Sequence, residues 1–117
     1  MQSLITRIME NRQALKLIEK IQKELFKDNL RKEGIMDSKV FLFGSWAKGK
    51  QTESSDIDVC VISNKFVDST RFDDNVKIKL YANKIDNNIE PVIFNNTDFE
   101  NKYDTLVTEI KKYGILI

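Results

Sequence analysis

Val40-Phe41-Leu42-Phe43-Gly44-Ser45, followed after a polar stretch by Ser55-Asp56-Ile57-Asp58-Val59-Cys60-Val61-Ile62, decides the fold of this chain. Each half holds a short, continuous apolar run, and the second is rich in β-branched residues. Runs of this length and composition read as buried strands rather than helices. The first run stops at Gly44 and passes into Ser45 to Lys50, a short helix or turn that Gly49 helps to end. The polar residues Gln51 to Ser55 form the loop into the second strand, Ile57 to Ile62.

Working outward, Asp68 to Ile85 reads as a helix, with Phe72, Val76 and Leu80 at i, i+4 and i+8. Asp86-Asn87-Asn88 is a turn, and Ile89 to Phe94 a third strand. Pro91 cannot donate to a ladder, so that strand belongs at a sheet edge. Leu106, Val107, Ile110 and Tyr113 fit a closing helix with Gly114 at C′ and Lys111 and Lys112 against its dipole. Upstream, Leu4, Ile8, Leu15, Ile18, Ile21 and Leu25 recur at helical spacing, which predicts a long amphipathic helix over about residues 3 to 28, capped by Ser3. Its stripe would pack on its own domain and could extend to a partner. Strands alternating with helices give the α/β class. The 117 residues are expected to form one domain, with an N-terminal helix over 1–28 and a catalytic core over 38–117.

Composition removes several function classes. The 19 basic and 18 acidic side chains leave a net charge of +1, so nothing favours a polynucleotide partner. There is no histidine, which excludes histidine triads and the commonest zinc ligand. A metal site here must be oxygen-rich, as magnesium or manganese prefer. The single cysteine, Cys60, lies inside an apolar strand and reads as a packing residue. One cysteine, no apolar run near the ~20 residues of a membrane span and no signal-like start lead us to expect a cytoplasmic protein.

Three features carry chemistry. Gly44-Ser45 leaves a buried strand for a short helix, where glycine allows close approach and free N–H groups suit a phosphate. Ser45 alone would read equally as an N-cap. Asp56 and Asp58 flank Ile57, so their carboxylates share one strand face about 7 Å apart along the backbone, while Ile57 turns to the core. Two such groups repel unless a cation joins them, and they are placed to bind one metal ion or a pair. Asp-x-Asp alone also reads as a solvated strand end. Glu90, at the start of the third strand, would add a third carboxylate if that strand lies beside the second, and otherwise faces solvent at an edge.

Taken together, Gly44-Ser45-Trp46-Ala47-Lys48-Gly49 and Ser55-Asp56-Ile57-Asp58-Val59 resemble the minimal nucleotidyltransferase family, a branch of the DNA polymerase-beta-like superfamily. Ile89-Glu90-Pro91, Glu109-Ile110 and Tyr113-Gly114-Ile115 extend the likeness over about residues 38 to 117. The resemblance implies a short mixed sheet packed with helices and two-metal transfer of a nucleoside monophosphate. Gly44, Ser45 and Lys48 would hold the nucleotide, and Asp56, Asp58 and Glu90 would bind magnesium, two ions in all, and act in catalysis. The substrate would be ATP. The family often has arginine at the position of Lys48 and aspartate at that of Glu90. Trp46, inside the motif, packs against the sheet or stacks on a base, and we expect packing.

The resemblance also implies an acceptor. Small proteins of this family are commonly paired with a helical HEPN protein, a toxic RNase, and as antitoxins transfer AMP to a tyrosine of it. An acceptor that is a small molecule, as in aminoglycoside nucleotidyltransferases, would require this short chain to build the acceptor site by homo-oligomerising. A third alternative is a protein that binds nucleotide or a partner without catalysis.

Overall fold

The computed structural model describes residues 12–50 and 55–117. The expected Ser3 cap and first turns of the N-terminal helix, and residues 51–54 of the expected loop, lie outside these. The helix is present from α1 (Arg12–Lys20) and continues as a π-helical segment, Ile21–Leu30, two residues beyond the expected end. Then follow β1 (Lys39–Phe43), α2 (Gly44–Ala47), β2 (Ile57–Ile62), a 3₁₀ turn (Asp68–Thr70), α3 (Arg71–Ile85), β3 (Ile89–Phe94), a second 3₁₀ turn (Asp98–Glu100), α4 (Thr105–Tyr113) and β4 (Ile115–Leu116).

The sheet order is β3-β2-β1-β4. β1 runs antiparallel to both β2 and β4, while β2 and β3 are parallel, so the sheet is mixed, as the resemblance implied. Pro91 does lie on an edge strand. β4 was not foreseen, because two residues carry no periodicity of their own. It closes the opposite edge by pairing Ile115 and Leu116 with Leu42 and Phe41.

The central position of β2 explains its unbroken apolar run, since five of its six residues are buried. Alternation divides the core. Ile57, Val59 and Val61 join Val40, Leu42, Ile89 and Ile93 on one face. There they meet Leu17, Ile21 and Leu25 from the N-terminal helix and Ile78, Ala82 and Ile85 from α3. Cys60 and Ile62 look to the other face with Phe43, under Ile110 of α4. Burial pushes the Cys60 thiol up to about 12, consistent with a packing role. Lys20 Nζ donates to the carbonyl of Ile85 at 3.1 Å and so ties the N-terminal helix to the C-terminus of α3.

The structure settles one face left open and corrects one expectation. Phe72, Val76 and Leu80 mark a helical period, but α3 buries Ile78, Ala82 and Ile85 instead and leaves the first three exposed. Period alone does not say which of two apolar rows meets the sheet. Gly114 is not in the left-handed conformation of a C′ glycine, because its φ is −64°. What excludes a side chain there is proximity, since a Cβ would lie 2.3 Å from the carbonyl oxygen of Ile110. Among the described residues, no helix is long and apolar enough to cross a membrane.

One polar link fastens the entry to β1 against the exit from β2. The fully buried Ser63 donates its hydroxyl to Asp37 at 2.6 Å, and the Asn64 N–H donates to the same carboxylate at 3.0 Å. The Ser63 bond, then the Asn64 bond, hold the Asp37 carboxyl below its usual range. A lowered folded pKa adds stability above the ordinary carboxylate range and loses it as pH falls through the folded value. We expect Asp37→Ala to lose about 1–2 kcal/mol in urea unfolding at neutral pH. The gap to wild type should narrow as pH drops below about 4. A constant gap across that range would exclude the carboxylate as its source.

Candidate active site

β1 delivers the chain to Phe43 in extended conformation, and Gly44 then turns it at φ +69° into α2. A side chain at position 44 is disfavoured by that φ and by space. A Cβ there would fall 2.1 Å from Oδ2 of Asp58. The Asp58 carboxylate therefore rests directly on the Gly44 backbone. Phe43 is the N-cap of α2 and supplies no side-chain bond. Ser45 is thus the second helical residue, not a cap, and the first N–H groups of α2 have no intrahelical acceptor. Trp46 is buried in the larger core, as the packing reading expects, and its indole N–H finds no partner among the described residues.

Strand register sets the carboxylates. Phe43 is opposite Asp58 on β2, and Asp58 is beside Glu90 on β3. All three belong to the row at one end of the smaller-core face. Asp58 is half-buried, while Glu90 is exposed. Asp56 stands one residue before β2, also exposed, and Ile57 between the aspartates is buried as expected. Asp58 is pushed above its ordinary value, first by burial and then by the negative charges of Asp56, Glu109 and Glu90.

Glu109 was given no role by sequence reasoning, although it lies in the segment that carries the resemblance. Its neighbourhood with Asp58 arises only because α4 packs over that face of the sheet. Glu109 accepts from Lys48 Nζ at 2.8 Å, and the same ammonium sits 4.8 Å from the centre of the Tyr113 ring. That bond to Glu109 is the main reason the Lys48 ammonium is held above its usual pKa. Lys48 is thus engaged with α4, with ammonium donors left beyond its bond to Glu109.

The donor set is carboxylate oxygen alone, which suits a hard divalent cation. Burial is the first cause of the raised Asp58 pKa, and the charge crowding that adds to it is what such an ion would relieve. Among the described residues, no group of three or more acidic or thiol side chains is already gathered closely enough to hold a metal. Asp58 and Glu90 are register partners, and Asp56 is the carboxylate whose charge presses most on Asp58.

Residues 18–117 match the family described as nucleotidyltransferase domain. No curated protein matches the chain. A crystal structure described as that of a candidate nucleotidyltransferase from Sulfolobus solfataricus superposes with a TM-score of 0.60, covering 99% of this chain and 86% of that one. At 20% identity, that likeness is one of fold.

Proposed function

The chain belongs to the nucleotidyltransferase domain family, and from that premise we propose that it transfers AMP from ATP to a tyrosine hydroxyl of a HEPN-type partner protein. The observation that carries nucleotidyl transfer is the seat of the Asp58 carboxylate on the Gly44 backbone, with Glu90 next in the row. It sets a side-chain-free backbone turn directly against charge-bearing oxygens. The choice of tyrosine and of a HEPN-type partner rests on the family likeness in the sequence.

In this reading the N–H groups of Gly44 and Ser45, with the Ser45 hydroxyl, bind the triphosphate. Asp56 and Asp58, with Glu90, would hold magnesium, which when bound offsets the charge of the triphosphate and polarises its α-phosphate. The acceptor oxygen forms a bond to the α-phosphorus, the bond to the bridging oxygen breaks, and pyrophosphate leaves. Glu90, the most exposed of the row, takes the acceptor proton. Lys48, held by Glu109, turns its remaining donors to a phosphate oxygen as a point charge.

The test uses the protein that co-purifies with this chain from its host. The pair is incubated with ATP and magnesium, and the partner's intact mass is recorded beside an Asp56→Ala/Asp58→Ala control. A gain of one or more AMP units, absent from the control, is expected. A stable complex with no gain would sink protein modification and leave a small-molecule acceptor or simple masking.

A further inference from the structure

α3 presents to solvent a row of apolar side chains that the fold does not use. Phe72 is 80% exposed, Val76 44% and Leu80 58%, each one turn beyond the last. A groove of about 430 Å³ runs along the N-terminal half of this face, lined by Phe72, Val76 and their neighbours. A row of this kind on a helix whose opposite side already packs in the core is a helix–helix contact surface.

Charge on the helix says which helix fits it. Near its N-terminus the helix carries Asp73 and Asp74, the Arg71 charge being taken up by Asp98 and Asp68, and its C-terminal half carries Lys77, paired with Glu33, and Lys79 and Lys84. A partner of uniform charge would meet its own sign at one end or the other. A second copy of α3, turned end for end, meets the opposite sign at both ends, and its dipole is opposed as well. The spacing supports the same pairing. Asp73 and Lys84 are eleven residues apart, about three turns, so they lie on the same side of the apolar row. When two copies cross about the middle of α3, near Ile78, Val76 of each comes level with Leu80 of the other. Asp73 of each then comes level with Lys84 of the other. Neither Asp73 nor Lys84 makes an ion pair within the chain among the described residues.

We propose that the outer face of α3 is an isologous self-association surface, on which a second copy of this chain seats antiparallel across Phe72, Val76 and Leu80, registered by two Asp73–Lys84 pairs. The surface stands apart from the Gly44–Asp58–Glu90 row, so its fate and that of the catalytic reading are independent.

Sedimentation equilibrium of the whole chain over the micromolar range, at low salt, tests this. The wild type should move from one to two chains with concentration. Phe72→Ser/Leu80→Ser should remain a single chain with its circular dichroism unchanged and should melt close to the wild type at concentrations where the wild type is also a single chain, because both residues are solvent-facing. Asp73→Lys and Lys84→Asp should each weaken the dimer about tenfold, and the double reversal should regain most of that loss. A wild type that stays a single chain throughout would overturn the proposal. So would a dimer that survives the double serine variant, or a double reversal no better than its parents.

Discussion

Asp58→Asn should lower nucleotidyl transfer by at least about a thousandfold while leaving the chain folded and harder to melt than wild type in metal-free buffer at neutral pH. The two effects share one cause. The Asp58 carboxylate is half-buried and faces Asp56, Glu109 and Glu90, and burial followed by those charges raises its pKa. A raised folded pKa means that the group favours the fold below the ordinary carboxylate range and turns against it as pH rises through the folded value. At neutral pH the ionised side chain is therefore a burden on the empty fold. Asparagine carries no charge and removes the burden, together with the oxygen that would hold magnesium. The variant's advantage in melting should vanish in acid, where the wild-type carboxyl is protonated. Magnesium should raise the wild-type melting temperature and move that of the variant far less. Transfer within tenfold of wild type would remove Asp58 from the chemistry. Lost transfer with lowered stability would recast it as a structural residue.

The same residue shows how far the sequence could be read. The strand face of Asp58 followed from alternation alone, because Ile57 and Val59 had to be the core pair. The placement of β3 beside β2 was left open by the sequence, yet the register that sets Asp58 next to Glu90 depends on it. Glu109 was out of reach, since it comes near Asp58 through the packing of Ile110 against Phe43, Cys60 and Ile62. No spacing between positions 58 and 109 encodes that. Phe72, Val76 and Leu80 were legible as a helical period but not as a face. Their period was right, but α3 carries a second inward row at Ile78, Ala82 and Ile85. A helix with two apolar rows does not announce which one its sheet will cover. Where pattern was sufficient, as for β2 and β3, each strand falls within its expected limits.

Gly44→Ala should reduce transfer about a hundredfold and cost about 1–2 kcal/mol of stability, and the two losses have separate origins. Gly34 provides the comparison that separates them. It sits at φ +79° with nothing within 4 Å of the place a Cβ would take. Alanine at 34 therefore meets only the backbone cost of a left-handed conformation, about 1–2 kcal/mol, and should leave transfer intact. Alanine at 44 meets a similar backbone cost at φ +69° and also projects its methyl to 2.1 Å from Asp58 Oδ2. The end of a short carboxylate side chain yields more readily than backbone, so Asp58 should swing away, and the displacement falls on the group placed to hold the metal. Rates and urea midpoints of both variants against wild type decide the matter. Equal stability losses with activity lost only at position 44 are the expected pattern. If the two variants are equally active, the contact between Gly44 and Asp58 is mere packing. The site would then have to be rebuilt around Asp56 and Glu90, the two carboxylates that face solvent.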